Sequence, residues 1–137
     1  MTLEKKIKDK KVNFEFNKEY IKVVTEKISN NDAIFITNSF KEMHPSDAAD
    51  IIEHLSDTDR ESLIKLNNFK LDPQVFVELN ESIQTEIIKY LSKETIVDIL
   101  KNLESDDAIK ILENLEEKNK NEILGSLPPK DRFVLLE

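Results

Sequence analysis

The chain of 137 residues contains no cysteine, no tryptophan and a single glycine. Without cysteine there is no disulfide framework and no thiolate metal site. One glycine leaves few β-hairpin turns of the usual kind and no glycine-rich loop that could hold a phosphate. No apolar–polar alternation is long enough to predict a sheet either. These absences together favour a helical chain.

Long apolar runs and catalytic constellations are also missing. No stretch is long and apolar enough to cross a membrane, and the lysine-rich start, residues 1–11, is not followed by the apolar core of a secretion signal. The two histidines, His44 and His54, are ten residues apart, and no nucleophile–base pair can be named. His44, before Pro45, is interpreted as part of a helix start, whereas His54 has no evident partner. We therefore expect no enzymatic activity and no direct membrane insertion.

A period of twelve residues dominates what the chain does contain. Every twelfth residue from Met43 onward, which we call a marker, is apolar with the exception of Asn67, and an apolar pair stands eight and nine residues after each marker. The other markers are Leu55, Leu79, Leu91, Leu103, Leu115 and Leu127, and the pairs run from Ile51 and Ile52 to Leu135 and Leu136. A fixed period of this kind indicates a repeat architecture.

The period also predicts where the helices must break. On an α-helix, the apolar positions of one unit span a face about 100° wide, and twelve residues rotate that face by about 120°. One continuous helix could not bury such a spiral, so each unit needs its own short helix. Capping or helix-starting residues follow the markers at Ser56 and Asp57, Asp72 and Pro73, Ser92, Ser105 and Asp106, and Pro128 and Pro129. We predict an all-α fold, a superhelical stack (solenoid) of helices about eight or nine residues long.

The remaining segments set the expected boundaries. Helical spacing predicts helices over residues 14–28 and 32–42, with residues 34–37 as buried helix. Residues 1–13 are predicted to be a disordered basic tail, and residues 14–137 a helical-repeat domain. Because the repeat stops in mid-unit at Glu137, we interpret the chain as a fragment of a longer protein. The missing marker at Asn67 predicts an irregular helix junction.

Charge is unevenly distributed along the chain, whose formal net charge is −8. Residues 1–41 carry nine basic and six acidic groups, whereas residues 42–137 carry eleven basic and 22 acidic groups. An acidic surface argues against nucleic acid as a partner, because phosphate binding requires a basic face. It permits attraction of cations or of a basic protein, and a merely solubilising face is the alternative.

Two acidic groupings are candidates for cation binding. Asp47, Asp50 and Glu53 lie three residues apart on one helical face, and Asp106 and Asp107 open a predicted helix. The helix macrodipole alone is a sufficient structural explanation for acidic residues at a helix start. Carboxylate oxygens also suit Mg²⁺, which takes one or two carboxylates and keeps several waters. Helix capping and a sparse metal site completed by another domain both remain open.

The segment from His44 to Leu55, HPSDAADIIEHL, resembles the HPADIADLLEEL opening of the N-terminal domain of MgtE magnesium transporters and channels. Residues 96–100, 106–112 and 127–132 fit later phrases of that family. The resemblance as a whole covers about residues 14–137. It implies a cytoplasmic right-handed superhelix of short helices, followed by a pair of CBS domains, a connecting helix and the membrane pore of a homodimer. The flagellar motor protein FliG has similar short-helix repeats.

The resemblance also implies a mechanism. In the family, Mg²⁺ bound between the N domain and the CBS domains holds the pore closed, and the N domain swings away when Mg²⁺ is low. Asp106 matches an acidic residue of that site and Asp107 stands beside it, whereas two further acidic positions of the family are Lys110 and Gln74 here. These departures leave the coordination incomplete.

The candidate metal ligands are therefore Asp106 and Asp107, with Asp50 and Glu53 as additional unassigned acidic candidates. Because part of the site would lie outside this chain, Mg²⁺ is expected to bind the isolated domain weakly. The leading hypothesis is a Mg²⁺-sensing regulatory domain of a magnesium channel, without catalysis. The rival is a metal-independent helical scaffold that binds a protein partner, as FliG-like modules do.

Overall fold

A computed structural model describes residues 14–66 and 69–130 of the chain. Those residues form α-helices and contain no strand, which confirms the predicted all-α class. The helices are α1 (Phe14–Ser29), α2 (Ala33–Glu42), α3 (Pro45–His54), α4 (Asp57–Ile64), α5 (Pro73–Glu78), α6 (Glu81–Ile88), α7 (Lys93–Lys101), α8 (Ser105–Glu113) and α9 (Glu117–Ser126). From α3 onward they are six to ten residues long, a wider range than predicted.

Three expectations fall outside the described residues: the basic tail over residues 1–13, the break at Asn67, and the last apolar pair, Leu135 and Leu136. The flanks of Asn67 are described, since α4 ends at Ile64 and α5 begins at Pro73. The chain divides into two compact units, Met1–Leu71 and Asp72–Glu137. The first contains α1–α4 and the second α5–α9. A continuous solenoid through both units stays a prediction.

The marker residues are the points at which the helices end. Each described marker donates its backbone N–H to the carbonyl three residues earlier, over 3.1–3.4 Å, which closes the helix with a tighter final turn. These markers are Met43, Leu55, Leu79, Leu91, Leu103, Leu115 and Leu127. The next residue is the N-cap of the following helix at His44, Ser56, Asn80, Ser92, Glu104 and Glu116. One repeat is thus one helix, one closing turn and one cap.

Most helix starts in the described residues are capped by a polar side chain. The side chain accepts a backbone N–H of the first turn at Asp32, His44, Ser56, Asp72, Asn80 and Ser92. The caps predicted at Ser56, Ser92 and Asp72 with Pro73 are therefore confirmed, and so is a helix start at His44. Asn31, with φ of 56°, makes the left-handed turn between α1 and α2 that asparagine tolerates.

The apolar pairs form much of the core of each unit. In the first unit α1 packs against α2, α3 and α4 and buries Tyr20, Val24 and Ile28. In the second unit α9 packs against α7. Among the described pairs, all residues are buried except Ile88 and Leu124, which are half-buried.

The prediction that residues 34–37 are buried helix is right about the helix and wrong about most of the burial. Ile36 is fully buried, but Ile34 is 77% exposed and Phe35 and Thr37 are half-buried. Consecutive residues of a helix point about 100° apart, so that an apolar run cannot direct all its side chains at one core.

We predict that Ile87→Ala lowers the free energy of unfolding by about 2–5 kcal/mol, because it removes methyl groups from a fully buried site. Urea unfolding followed by circular dichroism measures the change. Ile88→Ala, at the half-buried neighbour in the same helix, is the matched control and should cost clearly less. Equal losses at the two positions would contradict this assignment of core and rim.

Candidate functional site

The predicted metal ligands Asp106 and Asp107 lie in the first turn of α8. The helix buries Ala108, Ile111 and Leu112, which leaves Asp106 exposed and Asp107 half-buried. Both carboxylates are therefore at the N-terminal end of α8, with Asp106 opposite the buried face of the helix and Asp107 at the edge of that face. The macrodipole stabilises negative charge at this end.

The cap predicted at Ser105 and Asp106 is wrong. Helix α8 begins one residue earlier than that prediction requires, with Glu104 as N-cap and no side-chain hydrogen bond to the first turn. Glutamate is a poor N-cap compared with serine or aspartate, whose shorter side chains place an oxygen next to a first-turn N–H. Asp106 and Asp107 are consequently not used as caps, and α9 begins in the same way at Glu116.

The two departures from the family pattern also lie on the surface of the second unit. Lys110 is exposed and follows Asp106 by four residues, so that it is a neighbour of that carboxylate on the helix surface. A nearby ammonium opposes the binding of a cation. Gln74 is exposed in the first turn of α5, where its backbone N–H donates to Asp72 Oδ1 over 2.8 Å.

The additional candidates Asp50 and Glu53 lie on α3, in the first unit. Asp50 is exposed, and its backbone carbonyl is 2.7 Å from Nδ1 of His54. His54 therefore has a partner that the sequence did not reveal, because a side chain near a helix end can reach the carbonyl one turn back. Glu53 is half-buried, and its backbone carbonyl accepts from the Arg60 guanidinium over 3.4 Å.

No three His, Asp or Glu side chains come close enough to hold a metal ion among residues 14–66 and 69–130. The two candidate pairs belong to different units, and Mg²⁺ binding at any of the four residues stays a prediction. Their donor chemistry fits that ion, because carboxylate oxygens are the ligands that Mg²⁺ prefers.

Arg60 is a functional residue of the fold that the sequence analysis did not single out. It is only 8% exposed, and its Nη1 donates to the carbonyls of Leu55 at 2.5 Å, Ile52 at 3.3 Å and Glu53 at 3.4 Å. The guanidinium thus supplies further donors to the end of α3, where the last backbone carbonyls lack the usual α-helical partner four residues later.

Gln84 repeats this arrangement in the second unit. It is 9% exposed, and its Nε2 donates to the carbonyl of Phe76 over 2.8 Å, in the final turn of α5. Arg60 and Gln84 each stand five residues after a marker, and each binds the carbonyl three residues before that marker. A phrase in the sequence could have revealed the arginine: residues 55–64 and 127–136 share the pattern L-x-x-x-D-R-x-x-L-[IL].

A further contact joins two helices of the second unit at the end of α8 opposite to the candidate ligands. Asn114 Nδ2, at the end of α8, donates to Glu81 Oε1 at the start of α6 over 3.2 Å.

Across the described part of the chain, no helix has both the length and the apolar character that crossing a bilayer requires.

Comparison with known proteins gave two findings. The family model described as the MgtE intracellular N domain matches residues 43–137. The crystal structure of the soluble part of a magnesium transporter is similar to this chain with a TM-score of 0.72 and 17% sequence identity. The match covers 88% of this chain and 48% of that one, so that the chain spans about half the length of the solved structure. Curated protein sequences gave no match.

We predict that Glu104→Asp raises the free energy of unfolding by about 0.5–2 kcal/mol, because it provides the missing N-cap of α8 without changing the charge. Urea unfolding measures the gain. Ser92→Ala, which removes the corresponding cap of α7, should have the opposite sign and a similar size. A neutral or destabilising Glu104→Asp would show that the helix start is already satisfied in another way.

Proposed function

Because this chain belongs to the family of MgtE intracellular N domains, we propose that it is the regulatory domain of a magnesium transporter or channel. The match over residues 43–137, which contain the whole twelve-residue repeat, is the observation that carries the proposal. The domain senses intracellular Mg²⁺ through acidic side chains that it shares with adjacent CBS domains, and it gates the pore without catalysing a reaction.

In this proposal Asp106 and Asp107 provide the chain's own part of the Mg²⁺ site. Their position in the first turn of a helix held by three buried residues gives the carboxylates a fixed base. One or two carboxylates suit an ion that keeps several of its waters. The bound ion supplies positive charge between acidic surfaces, and Asp50 and Glu53 add to the negative field of the first unit.

The acidity of the repeat region supports a switch between two arrangements. Residues 42–137 carry 22 acidic and eleven basic groups, so that an acidic partner surface is repelled when no cation lies between them. A cation that binds only the closed arrangement shifts the population toward it by its differential affinity. Lys110 beside Asp106 weakens the binding of the ion and thereby raises the concentration at which closure occurs.

The assembly that we propose extends beyond this chain. CBS domains of the same polypeptide are the partners, the full-length protein is a homodimer, and the domain lies at the cytoplasmic face of the membrane as part of an integral membrane protein. Nucleic acid is not a partner. A metal-independent scaffold for a protein partner is the alternative, and the response of the pore to Mg²⁺ distinguishes the two.

We predict that the isolated chain binds Mg²⁺ only in the millimolar range or more weakly, because one or two carboxylates are few ligands for a complete site. Isothermal titration calorimetry with MgCl₂ measures the affinity, and NaCl at equal ionic strength is the control. Binding well below millimolar would contradict a site that is shared with another domain.

We predict that replacing both Asp106 and Asp107 with Asn in the full-length protein raises the Mg²⁺ concentration that half-closes the pore by at least about fivefold. Ion flux into proteoliposomes at graded Mg²⁺ concentrations measures the shift. Glu113→Gln, in the last turn of the same helix, removes negative charge away from the site and should leave the midpoint nearly unchanged.

An equal shift in the Glu113→Gln control would mean that overall charge matters and that the site assignment is wrong. A pore that does not respond to Mg²⁺ at all would favour the scaffold alternative.

A further inference from the structure

Equivalent junctions of the repeat differ in the residue five places after the marker. At the junction between α3 and α4 this residue is Arg60, and at the junction between α5 and α6 it is Gln84. At the junctions that precede α7 and α8 it is Ile96 and Ala108, both buried, whose side chains have no hydrogen-bond donor. The described repeats therefore contain junctions with and without a side-chain donor.

The donor joins two helices through a directional bond. The carbonyl of Ile52 accepts both the backbone N–H of Leu55 and the guanidinium of Arg60, and the carbonyl of Phe76 accepts both Leu79 and Gln84 in the same way. Because the second donor belongs to the next helix, it holds the angle between the helices as well as the last turn. Apolar burial at Ile96 and Ala108 stabilises contact but prescribes direction only weakly.

We infer that Arg60 and Gln84 are clasps that make α3–α4 and α5–α6 two hydrogen-bonded helix pairs, whereas the junctions before α7 and α8 are compliant. Helix α8, which carries Asp106 and Asp107, is then joined to α7 through a compliant junction, while its C-cap residue, Asn114, bonds to Glu81 of α6. This inference concerns the helix junctions alone and holds whether or not the chain binds Mg²⁺.

Four backbone amides report on the junctions directly. Leu55, Leu79 and Leu91 donate to the carbonyl three residues earlier over 3.2 Å, and Leu103 does so over 3.3 Å. We expect the amides of Leu55 and Leu79, at clasped junctions, to exchange with solvent more slowly than those of Leu91 and Leu103. Leu55 and Leu79 are also more buried than Leu91 and Leu103, which by itself slows exchange. Variants are therefore needed to separate the effect of the clasp from that of burial.

The test is native-state hydrogen exchange of the full 137-residue chain, followed by NMR. Gln84→Met removes the donor at nearly constant volume and should speed exchange of the Leu79 amide by about tenfold while leaving Leu55 unchanged. Arg60→Met should speed exchange of the Leu55 amide and leave that of Leu79 unchanged. If Arg60→Met does not fold, Arg60→Lys replaces it as the test variant. This substitution keeps the charge but has fewer hydrogen-bond donors, and it should speed exchange of the Leu55 amide by a smaller factor.

The pattern of the response separates a clasp from a general contribution to stability. A clasp predicts faster exchange at its own junction only. Equal acceleration of all four amides in Gln84→Met, or no change at Leu79, would overturn the inference.

Discussion

Every twelve residues the chain must end one helix and begin another, and the backbone polar groups at that break must find partners. The first N–H groups and the last carbonyls of a helix have none within it, and burying them unpaired costs more than a hydrogen bond returns. The marker residue solves half of this problem by closing the last turn, and the cap that follows solves much of the rest. The apolar pairs can pack only because these breaks are satisfied.

The helix class and several boundaries were predictable because they depend on local chemistry. Ser56, Ser92 and Asp72 with Pro73 cap helices as expected, since a short polar side chain needs only its own first turn. The N-cap predicted at Ser105 was wrong because Glu104 directly follows a marker. The register of the repeat therefore outweighs the capping preference of serine. Arg60 was missed because its partners lie five to eight residues earlier in the sequence, a separation that helix-capping patterns do not include.

The candidate site was less predictable than the fold for a physical reason. A helix start rich in carboxylates has the same sequence whether it stabilises the macrodipole or binds a cation, as at Asp106 and Asp107. Distinguishing the two requires the other ligands of the ion, and no cluster of three exists among the described residues. Residue types therefore suggested the chemistry, and only the match to a family supplied a function to propose.

The clasps at Arg60 and Gln84 have a consequence for how such a chain can change over time. Both bind main-chain carbonyls, which every amino acid carries, so that the accepting helix can replace its side chains without losing the bond. A repeat that carries its own donor side chain and needs only a main-chain carbonyl of its neighbour can be duplicated beside almost any copy of itself. Repeats joined in this way can drift far apart in sequence while their spacing in the chain persists.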